Sequence, residues 1–124
     1  MANSSLKWAG NKTVLAKKIA PLLINEFGEL HDLRVMEPFI GSAGFSLHFE
    51  FKNVIANDLY PPLINFYETI RKSRIDVYET KADKVTYMKH RDAYNEKVYA
   101  GIIDKELADS LLYLNRVCFK TLTC

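Results

Sequence analysis

The chain has 124 residues, enough for one domain, and its 48% hydrophobic and 26% charged content is that of an average globular protein. That excludes a disordered, collagen-like or low-complexity chain, and a formal net charge of +2 is too small to force a nucleic-acid or membrane-surface reading. No apolar run approaches the roughly 20 residues of a membrane span, and the N-terminus lacks a signal peptide's apolar core, so a cytoplasmic chain with Cys118 and Cys124 as free thiols is expected.

Lys7-Trp8-Ala9-Gly10-Asn11-Lys12 leads into the first predicted element, a helix with Leu15, Ile19, Leu22, Leu23 and Phe27 on one face. Pro21 lies inside it and Gly28 is its stop signal. Arg34-Val35-Met36-Glu37 is short enough for a buried strand, and Pro38 ends it. Phe39-Ile40-Gly41-Ser42-Ala43-Gly44 has the composition of a tight loop. Periodicity does not fix the type of the stretch carrying Phe45, Leu47, Phe49 and Phe51. Asn53-Val54-Ile55-Ala56-Asn57-Asp58 reads as a second strand. Pro61 and Pro62 suit the first turn of a helix, where a missing N–H is harmless, and Leu63, Phe66, Tyr67 and Ile70 form its apolar face. Beyond Arg71 the text is helical and charged: one or two helices run from Val85 to Tyr99, Gly101 breaks them, and Asp104 caps a last helix striped by Leu107, Leu111, Leu114 and Cys118.

Residues 1–62 balance six Lys+Arg against six Asp+Glu, while all seven tyrosines lie from Tyr60 onward. This predicts a change of architecture near residue 70, with an α/β part over 1–70 and a helical part over 71–124.

Three places carry chemistry. Glu37 to Gly44 sits at the carboxyl end of the first strand, where open parallel sheets bind ligands, and its small residues admit a close backbone approach. The G-S-A-G pattern is not G-x-G-x-x-G, so a dinucleotide phosphate site is not indicated, and a plain strand-to-helix turn explains the spacing equally well. Asp58 ends the second strand 17 residues after Gly41 (58 − 41). It either accepts hydrogen bonds from ribose hydroxyls or caps the Pro61-Pro62 helix. Loop and carboxylate together favour a nucleoside-containing ligand. Lys7, Trp8, Gly10 and Lys12 place cations and an indole just before a helix start, where free N–H groups and Lys12 suit an anion. Trp8 is the only tryptophan, and a core aromatic is its alternative reading.

These segments resemble the N-terminal part of Dam-type adenine-N6 DNA methyltransferases, which use S-adenosylmethionine. The family's K-W-A/T-G-G/N-K, D/E-P-F-x-G-x-G, N/A-D-x-N and L-Y-L-N-R-x-x-F-N-G-L segments correspond to Lys7–Lys12, Glu37–Gly44, Ala56-Asn57-Asp58 and Leu112–Phe119. Four segments in order across nearly the whole chain make the resemblance specific. It implies a truncated Rossmann-like methyltransferase sheet of few strands followed by a helical segment, the start of a DNA target-recognition region. It also implies that Trp8 and Lys12 line the methionine end of the cofactor site, with Gly10 between them among the cofactor-binding residues. Glu37, Phe39 and Gly41 would shape the cofactor loop, and Asp58 would hold the ribose. Lys7 would approach DNA. Lys89 and Arg91, with Lys81, Lys84 and Lys97, are weaker phosphate candidates, since Asp83, Asp92 and Glu96 interleave with them.

Two departures stand out. The family loop often has a second glycine where Ser42 or Ala43 stands, and after Phe119 this chain reads Lys120-Thr121-Leu122-Thr123-Cys124 in place of Asn-Gly-Leu. The D-P-P-Y-type segment that holds the target amine in the family is absent. Asp58-Leu59-Tyr60-Pro61-Pro62 has the same letters, permuted and on the wrong strand. No catalytic residue is therefore assigned, and His31, His48 and His90 show no metal-ligand spacing. The expectation is a Dam-like domain inactive alone, with weak S-adenosylmethionine binding. The alternative is a non-catalytic binding protein, such as a phage-type inhibitor of a restriction or CRISPR effector. Either reading expects DNA or a nucleic-acid enzyme as partner, and a second copy or another protein over the open edge of the Val35 strand.

Overall fold

A computed structural model describes residues 4–73, 75 and 81–121, with the backbone alone for 119–121. Among them the elements run α1 (Thr13–Phe27), β1 (Arg34–Glu37), α2 (Gly44–Phe49), β2 (Asn53–Ala56), α3 (Pro61–Lys72), α4 (Lys84–Tyr99) and α5 (Lys105–Thr121). The fold is mixed α/β, consistent with part of a Rossmann-like methyltransferase. The chain divides into two compact units, Met1–Leu59 and Tyr60–Cys124, so α3 belongs with the later helices. Among the described residues no helix is long and apolar enough to cross a membrane.

In the first unit β1 and β2 pair in parallel, Arg34 opposite Asn53 and Glu37 opposite Ala56. The two strands make the whole described sheet. α2 takes the stretch that periodicity left open; Phe45, Phe49 and Phe51 gather there with ring centroids 5.1–6.0 Å apart. α1 runs through Pro21 and ends at Gly28, whose φ of 71° a side chain would oppose. Its buried residue is Ala16, and Leu15, Leu22 and Phe27 are exposed. The sequence expected those three on a buried face. A parallel sheet ordinarily hides both faces, but two short strands give a helix four turns long too little surface to cover.

The second unit is built on α5, against which α3 and α4 both pack. Leu63, Phe66 and Leu107 are its fully buried large side chains, and Tyr87, Tyr113 and Val117 form a cluster with Met88, Leu114 and Cys118 around it. α4 is one helix, opened by Asp83, whose carboxylate accepts the Thr86 N–H at 2.9 Å. Asp104 caps α5 as expected, accepting the Leu107 N–H at 2.8 Å. The Tyr60 and Tyr94 hydroxyls share a hydrogen bond of 2.6 Å, and burial followed by that bond pushes the Tyr94 phenol above its ordinary range. Cys118 is disulfide-bonded, which corrects the free-thiol expectation there, while Cys124 lies outside the described residues.

Candidate cofactor-binding site

Parallel pairing sets the carboxyl ends of β1 and β2 side by side. The ladder continues past the strands: Asn57 N–H donates to the Glu37 carbonyl at 3.0 Å, and Ile40 N–H to the Asn57 carbonyl at 2.8 Å. This brings the loop after β1 onto the residues after β2. There the Gly41 N–H donates to Asp58 Oδ2 at 3.1 Å. Asp58 thus pins the loop directly, and α3 carries no side-chain cap. A carboxylate has acceptor capacity for more than one donor, so this bond does not preclude a ligand hydroxyl.

The loop is tightly wound. Gly41 (φ 50°) and Ala43 (φ 60°) both take left-handed backbone, and Ala43 N–H closes a turn on the Ile40 carbonyl at 2.8 Å. The N-terminal segment lies against this loop. Trp8 is half-buried, and a Cβ built on Gly41 would meet its Cδ1 at 3.2 Å. Gly10 (φ 76°) turns the segment, and Lys12 Nζ donates back to the Gly10 carbonyl at 2.6 Å.

These pieces enclose a cleft of about 240 Å³. The N-terminal segment contributes Trp8, Gly10 and Lys12, the loop contributes Phe39 and Gly41, and the end of β2 contributes Asp58. Sequence reasoning had named each of these six. Ala9, Ile40 and Ser42, which stand in the same two segments but carry no assigned role in the sequence reading, complete the lining. Ser42 is 3% exposed, and its hydroxyl is buried without a hydrogen-bond partner. Glu37 does not line the cleft: it accepts the Ser46 hydroxyl, tying β1 to α2 below the loop.

None of the candidate DNA-facing cations lines the cleft. Lys7, in the first unit, is exposed. In the second unit Lys89 is exposed, whereas Arg91 is half-buried and pairs with Asp92 at 2.9 Å. Lys97 is held by Asp104 at 2.7 Å and Glu106 at 3.3 Å. Among the described residues no three His, Cys, Asp or Glu side chains converge as metal ligands.

Residues 8–124 match the family described as D12 class N6 adenine-specific DNA methyltransferase. The chain belongs to that family. It is 29% identical over 127 aligned positions to a DNA N-6-adenine-methyltransferase of Escherichia phage P1, covering 97% of this chain and 16% of the relative. It is 31% identical to the Retron Ec67 DNA adenine methylase of Escherichia coli, covering 90% of this chain and 39% of the relative. The DNA adenine methylase of Vibrio cholerae is 30% identical, at 94% and 42% coverage. The chain therefore spans less than half the length of these relatives.

D12-class enzymes are S-adenosylmethionine-dependent, and the cleft's chemistry fits that cofactor. Asp58 offers an acceptor for ribose hydroxyls, Lys12 a cation for the methionine carboxylate, Trp8 and Phe39 apolar surface, and Ser42 an unpartnered hydroxyl. The volume fits only in part. Small-molecule sites usually enclose about 300–1,000 Å³, and the cleft of about 240 Å³ falls below that range.

Proposed function

We propose that these 124 residues are the cofactor-holding segment of a D12-class adenine methyltransferase, binding S-adenosylmethionine weakly and transferring no methyl group alone. The observation that carries the reading is the convergence of three separate segments on one cleft, with Asp58 clamping Gly41 at its centre. When bound, the cofactor supplies an activated methyl on sulfur. The residues here orient it: Asp58 takes the ribose, Lys12 the carboxylate, and Trp8 and Phe39 shield its apolar faces. The polar and aromatic groups that hold a flipped adenine in this family come from a D-P-P-Y segment, and none stands in this sequence. Lys7, Lys81, Lys84 and Lys89 are exposed cations suited to DNA phosphates.

The test has two parts. Calorimetry with S-adenosylmethionine is expected to show weak binding that Asp58→Ala weakens by roughly a further ten- to a hundredfold. Incubation with labelled cofactor and assorted DNA duplexes is expected to leave no label in adenine. Incorporation that disappears with Asp58→Ala overturns the claim of inactivity, and no binding at millimolar cofactor overturns the claim of a cofactor-holding segment.

A further inference from the structure

Glycines in a ligand loop are ordinarily explained by the ligand's approach. Here the chain's own N-terminal segment crowds both loop glycines. A Cβ on Gly44 would overlap Asn11 Oδ1 outright and stand 2.8 Å from Thr13 Oγ1. Asn11 Oδ1 itself accepts two hydrogen bonds, from the Thr13 N–H at 2.9 Å and the Thr13 hydroxyl at 2.7 Å. A hydroxyl has one proton, and the shorter contact takes it. The 3.5 Å approach of Thr13 Oγ1 to the Gly44 carbonyl is then packing rather than a second strong bond. Asn11 and Thr13 thus close a small ring at the start of α1, and that ring sits where Gly44 lacks a side chain. Three residues upstream of Asn11, Trp8 rests on Gly41.

We propose that Asn11, Thr13 and Gly44 are positioning residues: a clasp that seats the Trp8–Lys12 turn against the Gly41 loop and so sets the spacing of the cleft's two walls. The inference rests on the cleft being a cofactor site, and it adds to that reading what holds the site open to the right width. Asn11 needs an acceptor oxygen, Thr13 needs a hydroxyl, and Gly44 needs to have no Cβ. None of the three has to touch the cofactor.

Trp8 is the only tryptophan, so its fluorescence reports the clasp without any ligand. The variants are Asn11→Ala, Gly44→Ala, and the conservative Asn11→Asp and Thr13→Ser. Acrylamide quenching of Trp8, the thermal unfolding midpoint and S-adenosylmethionine affinity are measured on each. Asn11→Ala and Gly44→Ala are expected to expose Trp8 to quencher and weaken cofactor binding by roughly tenfold or more. Asn11→Asp and Thr13→Ser are expected to keep both properties within about twofold of the parent, because each retains the oxygen the ring uses. If Gly44→Ala does not fold, Asn11→Ala carries the test. Unchanged Trp8 quenching in a folded Asn11→Ala protein overturns the clasp, as does failure of Asn11→Asp to restore it. If the parent chain binds no cofactor, the functional reading fails while the quenching series still decides the clasp.

Discussion

Ala43 holds a left-handed backbone in a position where its methyl is buried. Only glycine takes that conformation without cost, and a β-branched side chain meets it worst. Relief of strain in Ala43→Gly is offset by glycine's extra entropy and the lost methyl, so that change is expected to move stability by less than about 1 kcal/mol. Ala43→Val is expected to cost about 2 kcal/mol or more, from strain and overpacking together. Urea unfolding checks both, and a neutral valine contradicts the assigned backbone. Ser42 gives the opposite kind of test. Its buried hydroxyl has no partner, so Ser42→Ala is expected to keep stability or raise it by about 1 kcal/mol. It is also expected to weaken S-adenosylmethionine binding, and a variant that loses stability contradicts the account. Trp8, Lys12, Gly41 and Asp58 were legible in the sequence because their order and spacing match a known pattern. Ser42 was not, since burial without a partner leaves no mark on the text. Asn11 stood inside a quoted segment, but its use depends on a contact with Gly44, 33 positions away (44 − 11).

Helix signals were read more reliably than helix faces. Asp104 at the start of α5, Gly28 after α1 and Pro61-Pro62 opening α3 all act locally, through caps and fixed φ. The face of α1 depends on what lies opposite, and a two-stranded sheet cannot cover Leu15, Leu22 and Phe27. Asp104 does more than cap α5. Its backbone carbonyl accepts Asn65 Nδ2 of α3 at 2.8 Å, and its carboxylate accepts Lys97 of α4 at 2.7 Å. Asp104→Ala is accordingly expected to cost about 1 kcal/mol through the cap alone, and a thermal midpoint within error of the parent contradicts this. The pair with Lys97 also has a pH signature. The hydrogen bond from Lys97 holds the Asp104 carboxyl below its ordinary range, and the bond to Asp104 raises Lys97. A lowered acid contributes stability that is present above about pH 4 and is lost as pH falls through its folded value. A raised lysine contributes until pH climbs beyond about 10.4 and passes its folded value. The stability difference between the parent and Lys97→Met is thus expected to be flat through neutral pH and to shrink at both extremes. A difference that grows below about pH 4 contradicts the pairing.

At the scale of the molecule, the order of helices and strands was legible from hydrophobic periods and from Gly and Pro signals. The grouping of α3 with α5 was not, because only the packing of the two helices, with Leu63, Phe66 and Leu107 fully buried, decides it. The open face of the sheet carries Met36 at 69% and Ile55 at 65% exposure, paired across the register. Apolar strands uncovered on one face invite association. Light scattering of the purified chain is expected to show self-association that Met36→Glu and Ile55→Lys reduce. Because both sites are exposed, stability should change by no more than about 0.5 kcal/mol. A parent that is a monodisperse monomer contradicts that expectation. The central claim is that Trp8, Lys12, Gly41 and Asp58 form one wall of an S-adenosylmethionine site. Titrating the cofactor while following Trp8 fluorescence tests it most directly, because the reporter stands in the cleft. The account predicts a saturable change with a weak midpoint, shifted by roughly ten- to a hundredfold in Asp58→Ala, the loss of hydrogen bonds to a charged group. A signal that never saturates, or one identical in Asp58→Ala, would contradict it.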